Sequence, residues 1–293
     1  MEKRIVVPID YSDVSKDVAL FADKWAVRTI GKLYFLHVSR LPQVSYYPEH
    51  FEYLDQRDEN EDMYTLENFL GQLGLESNFE FSHEYGSPYL KIVDLVERLE
   101  ADLVILSAHS HTMLGRLFLG SNTDYVMHHV HCPIYIFKKT SLQTNKIILV
   151  PLDFSEANRP VVEKANLWAE RTEYELHFIH VLIPVDYSYF GAETSLGLGK
   201  TELEMTEEQG MEAMDNFLAP MKITVPEKRL VLFGNSSYSR ILEYQKEVQA
   251  GLLMLAGHDH TVVGRLFLGS NTDYLLHHID AVSYTHLTLP TKA

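Results

Sequence analysis

The chain has 293 residues, with 25 basic against 41 acidic side chains for a formal net charge of −16, and it is 46% apolar and 11% aromatic. That composition excludes a largely disordered chain, and the length suits two domains of about 150 residues. The acidity argues against nucleic acid and anionic membrane as partners, and the single cysteine, Cys132, excludes an intramolecular disulfide and a zinc ribbon.

Ile5 to Ile9 is a continuous apolar run, as a strand covered on both faces requires. Asp10 and Ser12 follow, either able to cap the next element. Val18, Phe21, Ala22, Trp25 and Ala26 recur at helical spacing and predict an amphipathic helix that stops near Gly31. Leu33 to Val38 reads as a second strand. A loop containing Tyr46, Tyr47 and Pro48 leads to a second helix, from about Glu59 to Leu73, with acidic residues in its first turn. Phe79 to Tyr85 is a third strand, and Gly86-Ser87-Pro88 opens a third helix with proline early. Leu103 to Ser107 is the fourth strand. A polar loop, a helix from Ser121 and a strand from Ile134 to Phe137 complete the series. The alternation predicts an α/β fold built on a five-stranded parallel sheet with right-handed crossovers.

The same series then runs again. Gly115 to Tyr125 recurs unchanged as Gly264 to Tyr274, 149 positions on. Val7-Pro8-Ile9-Asp10-Tyr11-Ser12 matches Val150-Pro151-Leu152-Asp153-Phe154-Ser155, and His37-Val38 matches His180-Val181, both 143 positions on. The chain is a duplication, with domains expected at 1–140 and 145–293. One place breaks the pattern. Near identity ends at about Asp280, so the tail beyond it is expected to replace a native last strand, although Val282 to Leu287 has the Val, Tyr and Thr content to fill that slot.

Val7, Asp10 and Ser12 at the first strand's end, His37-Val38, Gly86-x-Pro88, and Gly120-Ser121 entering a helix that ends His128-His129-Val130-His131-Cys132-Pro133 together resemble the universal stress protein family. The resemblance spans nearly both copies. It implies two Rossmann-like domains of the adenine nucleotide alpha hydrolase-like type, paired as a pseudo-dimer through their last strands, in a protein that is not a catalyst. It also implies ATP or AMP as a bound ligand, with no cofactor required and a further homodimer among the possible assemblies. The nucleotide-binding positions it implies are Asp10, Val38, Ser107, Ser110, Gly120 and Ser121 in copy one and Asp153, Val181, Gly269 and Ser270 in copy two. Asp10 and Asp153 would meet the adenosine portion.

Nucleotide-binding members resemble Gly-x2-Gly-x9-Gly-Ser/Thr. Here only Gly120-Ser121 and Gly269-Ser270 fit, the earlier glycine places holding Ser107 and Ser110, or Ala256 and Asp259. Asp259 would repel phosphate, which favours copy one. Asp10 and Asp153 fit two roles, ligand contact and capping of the following helix. Ser121 and Ser270, three residues before Asp124 and Asp273, have the spacing of a capping box. Arg116 and Arg265 suit a solvated or interface place better than a phosphate contact. His109-x-His111 and His258-x-His260 could share a metal or could cap the pocket mouth; no third ligand is fixed by spacing, and no metal site is assigned. His128, His129, His277 and His278 suit a helix C-terminus. Tyr187-Ser188-Tyr189 matches the first copy's tyrosine loop, either covering the pocket or packing between copies, and Glu202, Glu204, Glu207, Glu208 and Glu212 read as a solvated helix face. Phosphate-loop, nucleophile-elbow and His-Glu-x2-His signatures are absent from the sequence. The expected protein is a cytoplasmic stress-response protein holding a small ligand. The rival is a protein-interacting regulator with vestigial pockets, and a weak nucleotide hydrolase comes third.

Overall fold

The computed structural model describes residues 2–39, 59–108, 120–138, 144–183, 206–257, 270–279 and 282–287. They fall into two compact units, one for each copy. The first contains β1 (Lys3–Ile9), α1 (Asp13–Thr29), β2 (Gly31–Ser39), α2 (Glu59–Gly71), β3 (Phe79–Tyr85), α3 (Pro88–Arg98), β4 (Leu103–Ser107), α4 (Ser121–Met127) and β5 (Ile134–Phe137). Its strands lie in the order β3-β2-β1-β4-β5, and each neighbouring pair is parallel. The second contains β6 (Asn145–Pro151), α5 (Asn158–Thr172), β7 (Glu175–Leu182), α6 (Glu207–Leu218), β8 (Glu227–Phe233), α7 (Ser237–Val248), β9 (Ala250–Gly257), α8 (Ser270–His278) and β10 (Val282–Leu287). Its order, β8-β7-β6-β9-β10, is the same topology. Each copy is a Rossmann-like α/β domain.

Burial explains the pattern. Ile5, Val6 and Val7 have no exposed surface, and neither do Ile148, Leu149 and Val150 in β6. The α1 residues Val18, Ala22, Trp25 and Ala26 turn inward, as their spacing predicts. Helix α1 is capped by Ser12, whose hydroxyl accepts from the Ser15 amide, and the chain leaves it through Ile30 at φ 54°. The helix thus stops next to Gly31, as expected, with Ile30 rather than the glycine as its cap. A Cβ at Gly31 would come within 2.7 Å of Ile5 Cδ1, so the glycine serves close packing and its neighbour takes the left-handed turn.

A buried side chain on the first helix of each copy ties down the loop ahead of the third strand. Asp23 Oδ1 accepts from the Glu76 and Ser77 amides at 3.0 and 2.8 Å and from the Ser77 hydroxyl at 2.6 Å. Asn166 Oδ1 does the same for the Thr224 amide at 3.0 Å. Sequence periodicity gives no sign of either tie.

The last strand of copy two is present. β10 runs parallel to β9, and Tyr284 pairs with Met254 as Tyr135 pairs with Ile105 in copy one. Ser283 and Thr285, 0% and 1% exposed, take the register places of Ile134 and Ile136, and among the described residues their hydroxyls have no hydrogen-bond partner. Among the described residues no helix is long and apolar enough to cross a membrane.

Candidate functional site

In each copy the strand order reverses beside the first strand, so the loops after β1 and β4, or β6 and β9, diverge and leave a crevice at the strands' C-terminal ends. In copy one this crevice is a cavity of 160 Å³ lined by residues that include Asp10, Val38, Ser107 and Gly120. In copy two it measures 330 Å³, and its lining includes Asp153, Val181 and Ser270. Small-molecule sites usually span about 300–1,000 Å³, so copy two has the roomier cavity although its glycine loop departs further from the family pattern.

The wall at Asp10 is built by local hydrogen bonds. Asp10 Oδ1 accepts from the Ser12 amide at 3.1 Å and from the buried Ser15 hydroxyl at 2.6 Å, while Ser15 Oγ accepts from the Asp10 amide at 3.0 Å. In copy two Asp153 Oδ1 accepts from the Ser155 amide at 2.9 Å, and the Asp153 amide donates to Asn158 Oδ1 at 2.8 Å. Each aspartate thus braces the loop ahead of its helix. The cap of α1 itself is Ser12.

Between the aspartate and that serine stands an aromatic residue in left-handed backbone: Tyr11 and Phe154, each at φ 63°. A side chain with a Cβ occupies that region at a cost, so something must hold it there. Tyr11 stacks on His37 with centroids 4.0 Å apart, and Phe154 stacks on His180 at 4.4 Å. The two histidines are fixed in turn. Their Nδ1 atoms lie 2.9 Å from the Ile9 carbonyl and 2.8 Å from the Leu152 carbonyl, so each Nδ1 carries the proton and donates. This clamp crosslinks the end of the first strand to the end of the second beside the cavity.

At the other wall, Thr123 and Thr272 donate to the carbonyls of Ser107 and Ala256 at 3.2 and 3.3 Å, fastening α4 and α8 to the strand ends. Ser121 is the first residue of α4. The N-cap is Gly120, with β-region backbone and no side-chain bond, so the expected capping box from Ser121 to Asp124 does not form. The reason is a frame of one residue: Gly120 already takes the extended conformation that a cap needs, and Asp124 N bonds its carbonyl. Ser121 is not among the described residues lining the copy-one cavity, whereas its counterpart Ser270 does line the larger one. At the far ends of these helices, His129 and His278 donate from Nδ1 to the Tyr125 and Tyr274 carbonyls at 2.7 and 2.8 Å.

Ser110 and Gly269 lie outside the described residues, as do Arg116, Arg265, the four histidines of the His-x-His elements, the tyrosine loops, Glu202 and Glu204. The sequence reading missed Asn122, Thr123 and Ile92, with their counterparts Asn271, Thr272 and Ile241, all on the cavity walls. It also missed two aromatic stacks, Tyr89–Tyr125–His129 and Tyr238–Tyr274–His278. The unchanged Ser-Asn-Thr-Asp-Tyr segment in both copies was the available signal.

The family model for universal stress proteins matches residues 1–138 and again residues 144–281. A universal stress protein of Methanocaldococcus jannaschii is 28% identical over 142 residues, which are 47% of this chain and 82% of the relative. Universal stress protein E of Salmonella typhi is 36% identical over 61 residues, 21% of this chain and 19% of its own length. Among solved structures, a universal stress protein from Archaeoglobus fulgidus aligns at a TM-score of 0.69 and 17% identity, covering 97% of this chain and 98% of that one. A functionally unknown protein from Pseudomonas aeruginosa aligns at 0.69 and 15%, covering 98% and 92%. These structural likenesses show the fold.

Proposed function

Because this chain belongs to the universal stress protein family and carries its domain twice, we propose that it is a non-catalytic, cytoplasmic stress-response protein whose cavities hold an adenine nucleotide, ATP or AMP. The observation that carries this reading is the duplicated crevice: in both copies the same aspartate and valine positions line a cavity at the strands' C-terminal ends. Asp10 and Asp153, with Val38 and Val181, flank the space offered to the adenosine portion. Phosphates would lie toward Gly120 in copy one and Ser270 in copy two, where the first turns of α4 and α8 present amide groups and the dipole favours negative charge.

Isothermal titration with ATP and AMP, together with mass spectrometry of the natively purified chain, tests the reading. The expected result is saturable heat and a retained nucleotide, without release of phosphate over the course of the titration. A Cβ on Gly120 meets no atom of the described residues within 4 Å, so Gly120→Val suits the described fold and should remove binding in copy one alone. No retained ligand and no heat would leave the protein-interacting regulator with vestigial pockets, the reading that Asp259 in the second glycine loop favours.

A further inference from the structure

Copy two contains a buried polar pair that copy one lacks. His177, in β7, is 1% exposed, and its Nδ1 lies 3.0 Å from the hydroxyl of Tyr244 in α7, itself 8% exposed. Its Nε2 faces Glu175 Oε1 at 3.4 Å, and Lys228 Nζ on β8 lies 3.2 Å from the same oxygen. Nε2 makes no hydrogen bond among the described residues, and the facing carboxylate, which only accepts, favours the imidazole proton on Nε2; in that tautomer Nδ1 accepts from the Tyr244 O–H. The matching positions in copy one hold Tyr34 and Leu95, so the histidine–tyrosine bond has no counterpart there.

The helix held by this bond is also a cavity wall. Ser237 and Ile241 of α7 line the copy-two cavity, and Tyr244 follows Ile241 by three residues on the same face. We propose that the His177–Tyr244 bond is an acid-sensitive latch, holding α7 against β7 and so keeping the wall of the copy-two cavity in place at neutral pH. This deepens the nucleotide reading by naming how one of the two sites is regulated, and it rests on that reading only for the effect on ligand.

Protonation at Nδ1 turns the acceptor into a donor, and the Tyr244 hydroxyl proton must then find another acceptor inside a packed contact. It also places a positive charge where water does not reach. Burial accordingly holds the His177 imidazole below its ordinary range; Glu175 opposes that shift and Lys228 adds to it. From the α7 side, burial raises the Tyr244 phenol, Glu247 and Glu175 add to the shift, and Arg240 opposes it, so the hydroxyl stays protonated and available as donor.

Hydrogen exchange of the intact chain at pH 7.5, 6.5 and 5.5, corrected for intrinsic rates, reads the latch with no ligand present. Protection of residues 237–248 should fall by roughly threefold or more between pH 7.5 and 5.5, while residues 88–98 of α3 hold theirs. The double variant His177→Phe with Tyr244→Phe removes both polar partners at nearly constant volume and should lose the response. Equal α7 protection at all three pH values, or an undiminished response in the double variant, overturns the latch. AMP titrations of the Gly120→Val chain at the same pH values then read the cavity. Affinity that weakens at pH 5.5 only when the latch residues are intact supports the coupling, and affinity unchanged while α7 loosens overturns it. No binding by this variant at any pH removes the nucleotide reading for copy two, the unmodified chain still testing copy one, and leaves the exchange result to decide the latch.

Discussion

A single side chain often has its role set by what it leaves behind when removed. Asp23 is 7% exposed and accepts three hydrogen bonds from one loop, so Asp23→Ala strands two backbone amides and should cost about 2–4 kcal/mol in urea unfolding. Asp23→Asn keeps the accepting oxygen, as Asn166 shows in copy two, and should cost less than about 1 kcal/mol. A loss as large for asparagine as for alanine would mean that charge, not hydrogen bonding, does the holding. Cys132 is 6% exposed, and burial, with a smaller contribution from Asp102, pushes its thiol up to about 12. The thiolate is the reacting form, so a disulfide reagent at pH 8 should label the native chain only as fast as the segment opens and should label it at once in denaturant. Rapid labelling of the native chain would contradict that burial.

At the scale of the element, β10 is the place where apolar strand packing has been replaced by buried hydroxyls. Thr285→Val keeps the shape and removes an oxygen with no partner among the described residues, and should raise stability by about 1 kcal/mol, read as a higher thermal midpoint. A lower midpoint would show that the hydroxyl has a partner. Most elements were legible because their signals are local. The β4 and β5 spans agree with their apolar runs, β3 with the expected Phe79 to Tyr85, and Pro88 opens α3 as its early place suggested. Other features depend on partners far along the chain: Gly31 packing on Ile5, Asp23 reaching Ser77, and His37 bonding the Ile9 carbonyl. Periodicity carries no information about such pairs. The cavity was half legible, since the strand ends announced Asp10 and Asp153 while the walls contributed by Thr123 and Ile92 required the helices to be in place.

For the whole molecule, the two copies should yield to acid in sequence. His177 has a lowered folded pKa, so its contribution is neutral at high pH, and stability declines as pH falls below the unfolded value of about 6.5. Glu84 in copy one works in a lower window. Burial alone would raise its carboxyl, but Lys91 at 3.0 Å and Arg98 at 3.2 Å outweigh that and lower it, so their support is lost only as pH drops below 4.5. Exchange or proteolysis along a pH series should therefore open copy two first; copy one opening first would reverse the assignment. The left-handed aromatics carry a different kind of consequence. Tyr11 and Phe154 keep a costly backbone angle while stacked on their histidines, with Phe69 and Phe217 as second ring neighbours, and both halves of the chain carry the same arrangement. Positions 11 and 37, and likewise 154 and 180, are therefore not free to drift singly. In a randomised library they should be recovered as correlated pairs, aromatic with histidine or glycine with almost anything, which makes each loop one heritable unit of two letters.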